Sequence, residues 1–110
     1  MLLSIMDKKT IDSLVVSKDK RTLILFIFDH LDWTNEYEHL ILLQDKINDY
    51  IAFYESRQYL KELKNSKRVN NFIIDIRFKY AITPNCESLL KVSNNTVKRI
   101  NGIIQYKVVG

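Results

Sequence analysis

Residues 21–28 read Arg-Thr-Leu-Ile-Leu-Phe-Ile-Phe, apolar on both alternations from Leu23 onward. A strand of that kind leaves neither face to water, so the run predicts the centre of a sheet. One face is expected to meet helices, and the other a partner or the chain's own N-terminus. No other segment constrains the fold as much, because any architecture must cover this run twice. The composition supplies the cover: 46% of residues are hydrophobic and 11% aromatic, which excludes intrinsic disorder. Two Gly and one Pro in 110 residues leave no collagen-like, linker-like or low-complexity segment. That length holds one core, so residues 1–110 are expected to form a single domain.

Residues 12–17, Asp-Ser-Leu-Val-Val-Ser, predict a first strand, joined to the central run by the polar break at 18–20. Residues 33–60 predict a long amphipathic helix. At 100° per residue, Leu40, Leu43, Ile47, Tyr50, Ile51 and Tyr54 fall within about a third of its circumference. Asp32, Thr34 or Asn35 is placed to cap it, and Asn35 with Glu38 has capping-box spacing. Glu36 and Glu38 in the first turn suit the helix dipole, as do Arg57 and Lys61 near the end. The basic stretch 61–71 leads to a strand over 72–82. There Phe72, Ile74, Ile76, Phe78, Tyr80 and Ile82 alternate inward, and Ile73, Asp75, Arg77, Lys79 and Ala81 make a largely wet face.

Thr83 and Pro84 open a second helix as N-cap and first helical residue, and Asn101-Gly102 ends it. Its inner face carries Cys86, Leu89, Leu90, Ser93, Val97 and Ile100. Residues 103–109 close the chain as a strand with Ile104, Tyr106 and Val108 inward. The order β-β-α-β-α-β predicts an α+β, two-layer sandwich: a four-stranded sheet with two helices on one face. Strand order stays open.

The formal charge of +4 conceals a segregation. Residues 1–28 sum to +2, residues 29–55 to −6 and residues 56–110 to +8. Part of the acidity is ordinary helix electrostatics, and the rest makes 29–55 a candidate surface for a basic partner. Cys86 is the single cysteine, which excludes an intrachain disulfide and a Cys-rich metal site. Met1 to Met6 is too short for a signal-peptide core, and Lys8 and Lys9 follow it rather than precede it. No stretch approaches the roughly 20 apolar residues of a membrane span. A cytoplasmic, reducing setting without membrane contact is expected.

The densest polar cluster is Asp29-His30-Leu31-Asp32-Trp33, followed by Glu36, Glu38 and His39. It lies where the central strand ends and the long helix begins, a frequent position for sites. Asp29, His30, Asp32 or His39 is chemically suited to ligate a divalent metal, although the spacing matches neither H-E-x-x-H nor an EF-hand loop. The competing reading makes Asp32 a cap, Asp29 a turn former and the two histidines loop-satisfied. Trp33 is expected as a buried wedge under the helix start, and Gln44 and Asn48 as structural ties to the 29–33 loop. Leu42 and Phe53 fall roughly opposite the stripe with Lys46 and Asp49 between them, a candidate contact or homodimer ridge. The basic residues Lys61, Lys64, Lys67, Arg68, Arg77 and Lys79 show no stacking pattern of a nucleic-acid motif. There is no Gly-rich phosphate loop and no nucleophile elbow, and Cys86 reads as core.

Asp29-His30-Leu31-Asp32-Trp33, His39-Leu40, Leu43-Gln44, Lys46-Ile47-Asn48, Tyr50 and Glu55-Ser56 together resemble the signature of a bacterial domain family of unknown function. The chain departs from that pattern after Ser56, where Arg57 and Gln58 stand in place of Gly and an acid. The resemblance implies a small α+β domain and carries no catalytic residue or cofactor.

These readings favour a non-enzymatic protein-binding domain, with an immunity or antitoxin-like role as one concrete version. The candidate partner surface comprises Asp29, His30, Asp32, Trp33, Glu36, His39, Leu42, Lys46, Asp49 and Phe53. No cofactor is expected. The alternatives are a metal-dependent enzyme using the 29–39 cluster, or nucleic-acid binding by the basic C-terminal half. Homodimerisation through the Leu42/Phe53 ridge or a free sheet edge is compatible with each.

Overall fold

A computed structural model describes residues 11–110 and sets the apolar run in the interior of a four-stranded sheet. The strands are β1 (Ser13–Val16), β2 (Thr22–Asp29), β3 (Asn71–Phe78) and β4 (Gly102–Val108), in spatial order β1-β2-β3-β4. β1 pairs antiparallel with β2 through the turn at 17–21, whereas β2–β3 and β3–β4 are parallel. Each parallel step needs a crossover, supplied by α1 (Glu36–Glu55) with the one-turn α2 (Tyr59–Glu62), and by α3 (Pro84–Lys98). Crossovers of one hand that step the same way put both long helices on the same face. Asn85 Nδ2 accordingly donates to Glu36 Oε1 at 3.1 Å, joining the two helix starts. The expectation for Met1 to Met6 lies outside the described residues.

The helix-facing alternation of β2 and β3 forms the floor of the core. Leu23, Leu25, Ile27, Phe72, Ile74 and Ile76 are fully buried there. The opposite alternation of β2 is half-buried, and register places Val15, Ile24, Ile73 and Ile103 in one row across four strands. A polar clamp partly covers the next row. Arg77 donates to both oxygens of Asp75 at 2.7 and 3.2 Å, and Gln105 Nε2 to Asp75 Oδ2 at 2.8 Å. The Arg77 guanidinium lies 5.4 Å from the centre of the Phe26 ring. Asp75 is therefore buried, so this face of β3 is drier than its sequence suggests.

Three boundaries differ from expectation. β3 stops at Phe78 rather than 82, because both neighbours end with it: Asp29 pairs with Phe78, and Val108 with Phe78 on the other side. Tyr80 is consequently exposed. The helix expected over 33–60 divides at Arg57, whose φ of 61° is left-handed, and α2 starts afresh after it. α1 begins at Glu36 with Asn35 as cap, its Oδ1 accepting from Glu38 N–H at 3.3 Å while its amide donates to Glu38 Oε2 at 3.1 Å.

The buried face of α1 is also turned. His39, Leu43, Lys46, Ile47, Tyr50 and Phe53 are buried, an arc centred roughly 55° from the expected stripe at 100° per residue. Phe53 belongs to the core and Leu42 packs half-buried against it, so the two form no outward ridge. Gln44 and Asn48, expected as internal ties, are exposed. Lys46 is fully buried because Asp12 meets it, Nζ to Oδ1 at 2.9 Å. The same Asp12 closes the end of the β1–β2 ladder. Its Oδ2 accepts from Phe28 N–H at 3.0 Å, while Tyr50 O–H donates to the Phe26 carbonyl at 2.6 Å and accepts from Asp12 N–H at 2.8 Å. Backbone groups that β1 no longer reaches are thus satisfied by the Asp12 carboxylate and by Tyr50 of α1.

α3 is capped as expected, Cys86 N–H donating to Thr83 Oγ1 at 3.1 Å. At its other end Asn101 takes the left-handed conformation, φ 64°, and Gly102 serves a different need. A Cβ on Gly102 would stand 2.4 Å from Phe72 Cζ and 2.9 Å from Val97 Cβ. Phe72 has no room to withdraw, being fully buried with the Tyr54 ring 4.1 Å from its own. Gly102→Ala is therefore expected to lower stability by about 1–3 kcal/mol through overpacking. Urea unfolding of the variant checks this, and an unchanged midpoint would show that Phe72 yields.

Candidate functional site

The carboxyl end of β2 delivers Asp29 to the start of α1, and the intervening turn brings the polar cluster together. Asp29 is buried, with Oδ1 accepting from Leu31 N–H at 3.1 Å and Oδ2 lying 2.5 Å from His39 Nε2. His39 is buried one turn into α1, and its Nδ1 lies 3.0 Å from the Asp32 carbonyl. A carbonyl oxygen only accepts, so Nδ1 carries a proton and donates to it. The remaining proton is held between Nε2 and the Asp29 carboxyl group. Both ring nitrogens are therefore spent, and His39 offers no free lone pair to a metal or a substrate proton. Among the described residues, no three His, Cys, Asp or Glu side chains converge as a metal site would require.

Trp33 lies flat on this pair, its ring 3.7 Å from that of His39 at an angle of 15°, and tilted 6.3 Å from Phe78. It is half-buried rather than buried as expected, and among the described residues no hydrogen-bond partner reaches its buried Nε1. Among the same residues, the buried Nε2 of half-buried His30 is likewise without one. Beside the histidine an open cleft of about 180 Å³ is lined by Leu31, Asp32, Thr34, Asn35, Glu38, His39 and Leu42.

The carboxylates around the cleft are held ionised by local donors. Asp32 is exposed, and hydrogen bonds from the Thr34 backbone N–H (3.0 Å), then from its hydroxyl, lower its pKa. Glu36 is lowered by Thr83 first and then by Asn85, which fastens α1 to α3. Burial, with the Asp29 and Glu36 charges behind it, pushes the Cys86 thiol up to about 12. Cys86 is therefore a core residue and a poor nucleophile.

The structure separates the ten candidate residues into two groups. Asp29, His39, Lys46 and Phe53 are buried and present no partner surface. His30, Trp33, Glu36, Leu42 and Asp49 are half-exposed, and Asp32 is exposed. Asp29, Asp32, Trp33 and His39 form one cluster, whereas Lys46 joins Asp12 at a separate point along α1. Residues outside that set complete the outward face. Tyr37 is 77% exposed and Ile41 39%, one turn apart on α1, with Glu38 exposed beside them. Their i, i+4 spacing was a signal in the sequence, hidden by an apolar stripe drawn half a residue out of phase.

A family model described as a family of unknown function (DUF6572) matches residues 3–110. No curated protein and no solved structure matches the chain.

Two outcomes test this arrangement. Asp29→Ala leaves the buried His39 Nε2 without its partner and is expected to cost about 1–3 kcal/mol in denaturant unfolding. In the folded protein Cys86 should resist a chromogenic disulfide reagent and react fully once unfolded. Rapid labelling under native conditions would contradict its placement.

Proposed function

We propose that this chain, which belongs to the family of unknown function DUF6572, is a non-enzymatic domain that binds a protein through the outward face of α1. The observation that carries the reading is Tyr37, 77% exposed beside the exposed Ile41 on a helix fixed firmly to the sheet. A large aromatic presented on a rigid helix is the kind of anchor that dominates interface energies. Glu38 adjoins it on α1, and Asp32 precedes the helix start; both stay in water, so the charge offered here is acidic and suits a basic partner. Fully spent nitrogens on His39 and a raised Cys86 thiol support binding over chemistry at the neighbouring cluster. In its most concrete form the role is immunity or antitoxin-like, with the acidic helix face covering a basic site on a toxin.

Native co-purification of the tagged chain from its host tests the reading. One stoichiometric basic protein is expected, its affinity falling about 30-fold with Tyr37→Ala, an anchor loss of about 2 kcal/mol. Glu38→Gln, which keeps the capping-box bond to Asn35 and removes only the charge, should weaken the same complex, and both variants should melt like the parent. Absence of a stoichiometric partner, or full retention by Tyr37→Ala, would sink it.

A further inference from the structure

The parallel strands collect the chain's positive charge at one end. Residues 18–21, 55–70 and 98–101 all lie beyond the amino ends of β2, β3 and β4, and carry ten basic and three acidic side chains, net +7. The remainder of the chain sums to −3. Register makes the segments neighbours, since Thr22 pairs with Asn71 and Phe72 with Gly102. Asn70 N–H and Asn71 Nδ2 both donate to the Arg21 carbonyl, at 2.9 and 3.1 Å. Lys20, Lys67 and Arg68 share one depression with Asn65, and Lys98 lines the adjoining one with Asn70, Asn71 and Asn101. Among the described residues, none of the basic side chains at this end makes an ion pair.

Backbone strain marks the same place. All four described non-glycine residues with positive φ, Lys20, Arg57, Asn65 and Asn101, lie there. Lys20 at φ 66° and Arg57 at φ 61° are residue types that gain nothing locally from a left-handed conformation. A glycine would hold either turn with less strain, at the loss of a cation.

We infer that this basic end is a second binding surface, for the sugar–phosphate backbone of a nucleic-acid duplex, read without base contacts. Lysine, arginine and side-chain amides are the groups that bind phosphates. The surface carries no exposed aromatic for stacking unpaired bases. Among the described residues, Leu60 at 38% is its single exposed large apolar residue short of Ile103, too little for the core of a protein interface. The surface is independent of the Tyr37 face, so either can fail alone.

Fluorescence anisotropy of short labelled duplex DNA and duplex RNA, titrated with the full chain from low to physiological salt, tests this. Affinity should fall steeply with salt on at least one duplex, and the tighter arm identifies the backbone preferred. Lys67→Glu with Arg68→Glu should weaken binding about tenfold or more and make the log–log salt slope shallower by about 2. Lys79→Glu, beyond the opposite ends of the strands, should change nothing. Lys20→Gly should melt higher than the parent yet bind more weakly, a combination that a purely structural residue would not give. No binding at low salt, or a double variant that binds like the parent, would overturn the inference. So would a single strand binding more tightly than either duplex, or poly-glutamate or anionic vesicles competing as well as the duplex.

Discussion

Two buried side-chain pairs decide how α1 lies on the sheet, and the rest of the molecule follows from that placement. Asp29–His39 pins the first turns of the helix to the carboxyl end of β2. Asp12–Lys46 pins its middle to the edge where β1 leaves β2. Such pairs add little net stability, because desolvation offsets most of the attraction, but breaking one strands an unpaired polar or charged group in the core. Each therefore penalises rotations of α1 that separate its partners. The rotation they permit buries Phe53 and turns Tyr37 and Ile41 out to water.

The polar cluster at the end of β2 has the composition of an active site and the wiring of a structural one. Trp33 covers the Asp29–His39 pair, the turn carbonyl of Asp32 takes the second imidazole proton, and Glu36 ties the helix start to α3. Asp29, His39 and Glu36 are each turned to a neighbour within the fold. Chemistry needs at least one group left facing a substrate, whereas recognition needs only a firm base beneath an exposed anchor. The reading proposed for α1 rests on the second requirement.

Much of this was legible in the sequence, and what was not depends on partners distant along the chain or on a turn with no local signal. The element order, the Asn35 and Thr83 caps and the burial of Leu23, Leu25 and Ile27 follow from local pattern and were readable. The phase of α1 was not, because His39 and Lys46 look like surface residues until partners 10 and 34 positions away neutralise them. Gln44 and Asn48 were misplaced by the same half-residue error. Arg57 hid the break between α1 and α2, since nothing about an arginine announces a left-handed turn.

By itself, the sequence determined the class of fold: an apolar run needing cover on both faces, two amphipathic helices to supply it, and too few glycines for anything loose. It also determined how much charge of each sign the chain carries. Where that charge stands was decided only in three dimensions. Parallel pairing of β2, β3 and β4 brings 18–21, 55–70 and 98–101 to one end, although they are far apart along the chain. Charge is additive along a sequence, but a surface potential depends on distance, and the crossovers set those distances. A total of +4 thus becomes a strongly basic end on an otherwise mildly acidic molecule.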